Sequence, residues 1–154
     1  MRTFSLLKGL PVYEMQKGKK IGEVCDLNIS TDGFVKGLII KKDGIFKKSQ
    51  TIDIKDVSSF GWDGVMIDNE KAIKALTPEY TLHHQQQLQG KIVMTTEGEE
   101  LGILDDVYFM EELGTIVGYE ISDGFFSDIT EGKQVVKTSE SPAIGEDAII
   151  VKVK

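Results

Sequence analysis

Reactive and metal-binding side chains are scarce in this chain of 154 residues. The one cysteine, Cys25, cannot form an internal disulfide, which fits a reducing compartment. The two histidines, His83 and His84, are neighbours, whereas zinc ligands on a helix recur on one face at i and i+4. The pair reads as part of a solvated linker, and no metal or cofactor is expected. Three prolines, with 40% hydrophobic and 28% charged residues, exclude long disorder. Apolar runs are short: Met1-Arg2-Thr3-Phe4-Ser5-Leu6-Leu7-Lys8 has too few apolar residues for a signal-peptide core, and no later run approaches membrane length. A cytoplasmic location is expected. The sequence also offers no nucleophile–base pair and no glycine-rich phosphate loop, which points away from an enzyme.

Positive charge is short in one half only. Residues 1–77 carry 13 Lys+Arg against 10 Asp+Glu, a net +3, while residues 78–154 carry 5 against 15, a net −10, within a total of −7. The second half repels phosphate backbones, so only the first half remains a candidate for nucleic acid.

What the chain does contain is a repeat. Lys17-Gly18-Lys19-Lys20-Ile21-Gly22-Glu23-Val24-Cys25-Asp26-Leu27 is written again as Glu97-Gly98-Glu99-Glu100-Leu101-Gly102-Ile103-Leu104-Asp105-Asp106-Val107. Gly18, Gly22 and Asp26 match Gly98, Gly102 and Asp106 at a constant offset of 80. Units of this size lie near the lower limit for independent folding, so the two are expected to depend on each other.

Within each unit, turn and strand signals alternate. Polar, glycine-containing connections precede a long strand in both copies. Strict alternation would put Ile21, Glu23, Cys25, Leu27 and Ile29 on one face, with Gly22, Val24, Asp26 and Asn28 on the other. In the second copy the sets are Leu101, Ile103, Asp105, Val107 and Phe109 against Gly102, Leu104, Asp106, Tyr108 and Met110. Thr31-Asp32-Gly33 then turns into a returning strand whose mid-strand Gly37 matches Gly118, and such glycines suit a bend or close backbone approach. Asp43-Gly44 and Asp123-Gly124 are further turn signals. Each unit closes on a short β run, Val65-Met66-Ile67 or Ala148-Ile149-Ile150-Val151. The expected architecture is all-β, with a first unit at 1–68, a linker at 69–87 and a second unit at 88–154. The linker is expected to be partly helical, with good helix formers behind an Asp68 cap and a second helical turn from Tyr80 to Gln87.

The G-x-x-I/L-G-x-[VIL]-x-D-[VL] pattern, the returning hairpin and the closing apolar run resemble the PRC-barrel family, here in tandem as in its small two-barrel bacterial members. The resemblance implies two small β-barrels. It also implies a role as a docking module, as in the cytoplasmic domain of the photosynthetic reaction-centre H subunit and the C-terminal domain of the ribosome-maturation factor RimM. The expected function is therefore a non-enzymatic adaptor for an unidentified protein partner. The alternative is an RNA- or ribosome-associated maturation factor acting through the basic first repeat. Exposed strand edges make a homodimer possible.

Particular residues follow from the repeat. Asp26 and Asp106 read as acceptors for backbone N–H groups of a nearby turn, ahead of a paired acid site. Cys25 reads as an inert, partly buried thiol, because the second copy has Asp105 there. Phe34 and Phe46 are expected in the core. Glu97, Glu99, Glu100, Asp105, Asp106, Glu111 and Glu112 lack the pattern of an EF-hand loop and read as a solvated negative face. Lys17, Lys19 and Lys20 occupy the positions of Glu97, Glu99 and Glu100, and this reversal makes the six a candidate interaction face.

Overall fold

A computed structural model describes residues 1–42, 45–75, 78–122, 133–138 and 140–153. In chain order the strands are β1 (Arg2–Thr3), β2 (Pro11–Glu14), β3 (Lys19–Ile29), β4 (Val35–Lys42), β5 (Ile45–Asp53), β6 (Val57–Phe60), β7 (Val65–Ile67), β8 (Ile73–Ala75) and β9 (Tyr80–Thr81). They continue as β10 (Ile92–Thr95), β11 (Glu100–Phe109), β12 (Ile116–Ser122), β13 (Lys133–Lys137), β14 (Ala143–Ile144) and β15 (Ala148–Val151). The turn pairs Asp43-Gly44 and Asp123-Gly124, and the side chain of Phe46, lie outside what the structure describes.

Two sheets result. The first runs β6-β7-β2-β3-β4-β5-β8, with β9 on β3; the second runs β13-β12-β11-β10-β15-β14, with β1 on β11. Neighbours are antiparallel except β2 with β7 and β10 with β15, which are parallel. The leading strand of each half therefore lies in the other half's sheet: Arg2 and Thr3 pair with Phe109 and Tyr108, while Tyr80 and Thr81 pair with Ile29 and Asn28.

Strict alternation fails along both long strands, and the cause is the same in each. The ladder of β3 with β4 skips Cys25, and that of β11 with β12 skips Asp105. One extra residue at such a bulge shifts the side-chain phase. The core consequently takes Val24 from one predicted face and Leu27 and Ile29 from the other; Leu104, Val107 and Phe109 repeat the switch.

Close approach accounts for three of the repeated glycines. A Cβ on Gly22 would lie 2.5 Å from the carbonyl oxygen of Lys41, and one on Gly102 2.4 Å from that of Ser122. On Gly37 it would lie 2.4 Å from the oxygen of Ile52. Gly118 is roomier, its nearest neighbour being the Val136 oxygen at 3.4 Å.

The expected linker helix needs correction. One 3-10 turn, Glu70–Ala72, is present, capped by Asn69 rather than Asp68: the Asn69 side chain accepts from the Lys71 N–H at 2.8 Å. Residues 73–75 then pair with β5 and 80–81 with β3, so this stretch completes the first sheet. Sheet edges offer more hydrogen bonds than an isolated short helix, whose nucleation is costly.

One core serves both halves. Leu27, Ile29, Leu38 and Ile52 from the first belong to the same buried cluster as Leu104, Val107, Phe109 and Tyr119 from the second. Phe34, expected inside, is 39% exposed. It sits instead at a bridge with Thr115, where the β3–β4 and β11–β12 turns meet and the Val35 N–H donates to the Gly114 oxygen at 2.7 Å.

Candidate functional site

The crossing is fastened by the two repeated aspartates, both buried. Asp26 Oδ1 accepts the N–H groups of Leu27 at 2.7 Å, Leu82 at 2.9 Å and His83 at 3.2 Å. Asp106 Oδ1 accepts those of Val107 at 2.8 Å and Phe4 at 3.1 Å, while its Oδ2 accepts Ser5 at 3.0 Å. Each carboxylate thus holds the first turn of the opposite half. The aspartates belong to separate sheets and do not converge as an acid pair.

The two fastenings differ by an insertion. Gly9 and Gly90 are equivalent, both with positive φ and both donating to the long strand of their own half, at the oxygens of Val24 and Leu104. Between the paired Thr3 and Gly9 lie five residues; between the paired Thr81 and Gly90 lie eight. The three extra residues fall in the His84–Gln87 loop, where Gln86 takes φ 51, unusual for a residue with a side chain.

This loop corrects the solvated-linker reading of the histidines. His83 is partly buried, its ring 5.3 Å from that of Phe4 and its Nδ1 2.8 Å from Gln89 Oε1. His84 has Nδ1 against Asp26 Oδ2, and its side chain is 51% exposed. Sequence spacing hid this cluster, because Asp26 and His84 are separated by 58 residues. A buried carboxylate that orients an imidazole resembles the supporting half of a proton-transfer dyad, but such a dyad needs a nucleophile to act on. The adjacent thiol is no such group: burial, reinforced by the Asp26 charge and opposed by Lys41, pushes Cys25 up to about 11. Among the described residues no three His, Cys, Asp or Glu side chains are arranged to hold a metal ion.

The charged hairpins are each braced by a buried side chain, though the first loop is one residue longer than the second. In the first, buried Glu14 accepts the Lys17 N–H at 2.5 Å; in the second, buried Thr95 accepts those of Glu97 at 3.2 Å and Glu99 at 3.0 Å. Gly18 and Gly98 turn both with positive φ, 66 and 87. Residues 17–20 and 97–100 are all exposed. Lys19 pairs with Glu70 at 3.4 Å and Lys20 with Glu23 at 3.1 Å, both within their own half. The wider acidic set does not gather around one point, since Asp106 is buried in its turn and Glu111 is taken by the Met1 amine and Arg2.

A feature that sequence reasoning missed lies where the halves meet. Two adjoining hollows, of about 430 and 420 Å³, share Ile54, Lys55 and Glu112. One is walled by β6 and the 110–112 turn, the other by Phe34 and Leu113. Around them stand exposed apolar groups: Leu113 at 75%, Met1, Met110 and Phe34. Trp62, 71% exposed, lies 4.3 Å from the Arg2 guanidinium, which also donates to the carbonyls of Gly61 and Phe60 beside the groove. In the second half the Pro142 ring packs so closely on Gly33 that an added Cβ would lie 2.5 Å from it.

Comparison with known proteins gives these coiled, crossed sheets a class. The PRC-barrel domain model matches residues 1–73 and again residues 81–154, so the chain belongs to the PRC-barrel family and carries two copies of its domain. It is also similar to the uncharacterized protein YrrD of Bacillus subtilis (strain 168), with 31% identity over 144 residues, covering 92% of this chain and 81% of that protein.

Proposed function

We propose that this chain is a non-enzymatic docking module that holds a cytoplasmic protein partner in the groove between its two barrels. The open groove beside β6, lined by exposed Leu113, Met110 and Phe34, with exposed Trp62 two residues beyond its Phe60 wall, carries this reading. Clustered apolar groups on a rigid frame suit protein recognition, and tryptophan is a frequent anchor in interfaces. Among the described residues no helix is long and apolar enough to cross a membrane.

The RNA alternative draws on the basic first half, but four of its thirteen cations already have an acidic neighbour. Lys19, Lys20, Lys36 and Lys74 each have an acidic side chain within 3.4 Å. The test is a crosslinked capture with the full chain and with Leu113→Asp plus Trp62→Ala, each run with and without nuclease. A dominant protein retained after nuclease and lost with the variant supports docking in the groove. Capture that vanishes with nuclease, or is indifferent to the variant, overturns it.

A further inference from the structure

The two hairpins that begin the long strands carry opposite charge on loops that differ by one residue, four between the paired Glu14 and Lys19 and three between Thr95 and Glu99. Lys17, Lys19 and Lys20 crown one; Glu97, Glu99 and Glu100 crown the other. The strands behind them correspond. The ladders behind them slip at the same step, Val12/Tyr13 in one and Val93/Met94 in the other. A buried side chain, Glu14 or Thr95, fixes each turn from beneath. Each set of charges is therefore presented by a turn braced from the sheet beneath it.

Placement keeps these turns apart within one chain. The halves meet tip to tip at the antiparallel bridge between Phe34 and Thr115, from which β4 and β12 run in opposite directions. β3 and β11 are antiparallel to these strands, and the charged hairpins lie at their far ends. Nine residues of strand, 21–29 and 101–109, separate each charged hairpin from the junction. One end of the molecule is basic and the other acidic, and the halves carry +3 and −10 overall.

We propose that copies of this chain associate head to tail, the Lys17/Lys19/Lys20 hairpin of one against the Glu97/Glu99/Glu100 hairpin of the next. Complementary potentials steer such an encounter and fix its register. The pairs already made by Lys19 and Lys20 are solvent-exposed and exchange readily for a new acidic partner. Among the described residues no cation pairs with Glu97, Glu99 or Glu100, so the acidic turn is available. The contact is heterologous. Every dimer retains one free basic and one free acidic end, and growth is open-ended rather than limited to a closed pair.

Sedimentation velocity of the full chain across a concentration series tests this. At about 20 mM salt the weight-average sedimentation coefficient should rise steadily with concentration, and at about 500 mM it should fall to that of a monomer. Lys17→Glu/Lys19→Glu/Lys20→Glu, acidic at both ends, should lose at least roughly tenfold in association constant, as should Glu97→Lys/Glu99→Lys/Glu100→Lys, basic at both ends. An equimolar mixture of the two variants should associate again, because each supplies the end the other lacks. A wild-type chain that stays monomeric at low salt, variants that associate unchanged, or a mixture that fails to recover would each overturn the proposal. Circular dichroism checks that the variants fold; if either does not, the salt response of the wild-type chain decides.

Discussion

Asp26 and Leu82 lie 56 residues apart in the chain, yet the carboxylate of the first accepts the backbone N–H of the second at 2.9 Å. Asp106 and Phe4 make the reciprocal bond at 3.1 Å across 102 residues. Replacing Asp26 by Ala leaves the Leu82 and His83 N–H groups without their buried acceptor, a cost of about 3 kcal/mol or more. Asp106→Ala should cost a similar amount through Phe4 and Ser5. Because one core serves both halves, urea unfolding of either variant should remain a single transition at a lower midpoint. Two separated transitions would mean that the halves fold independently and the crossing contributes little.

Removing residues 1–5 should weaken the second half more than the first. The deletion takes away the β1 pairing to Phe109 and Tyr108 and both opposite-half donors to Asp106. Hydrogen exchange should quicken at residues 106–111, while Ile21 to Val24 on β3 keep their protection. Faster exchange centred on β3 would contradict the exchanged arrangement.

Gly37 and Gly118 align in sequence but differ in their surroundings, so equal substitutions should have unequal effects. Gly37→Ala drives a methyl to 2.4 Å from the Ile52 oxygen and should cost roughly 2–3 kcal/mol through forced separation of β4 from β5. Gly118→Ala meets its nearest atom at 3.4 Å and should cost under about 1 kcal/mol. Thermal denaturation of the two variants side by side checks the ranking.

Alkaline conditions should loosen the fold in a defined direction. Burial pushes the Cys25 thiol from 9.0 up to about 11 and the Tyr119 phenol well above its usual range. In both cases the unfolded chain gives up its proton first. The stability these groups favour is present below about pH 9 and falls as pH rises toward 11. Cys25 should also alkylate slowly at pH 8 in the folded chain and at an ordinary rate in urea. Tyr119→Phe separates the two groups. Among the described residues its buried hydroxyl has no hydrogen-bond partner, so the variant should be at least as stable as the wild type and lose less stability at high pH.

The repeat, its all-β character and the family were legible in the sequence, because turn chemistry and period-two patterning are local properties. The matched glycines marked close approaches correctly at Gly22, Gly37 and Gly102. The side-chain phase of β3 was not legible: the bulge at Cys25 arises from pairing with β4, and nothing local to the strand announces it. The same limit applies to residues 80–87, whose local preferences favour a helical turn until the edge of β3 becomes available.

The candidate sites divide along the same line. Sequence alone determined the charge reversal between the hairpins, since charge belongs to the residue. Only the tertiary structure joined the halves at Phe34 and Thr115, set Asp26 against His84, and left a groove along β6. Each of these depends on the chain crossing between sheets. That crossing is selected because buried backbone N–H groups must find acceptors, and the nearest acceptors are the aspartates of the opposite half.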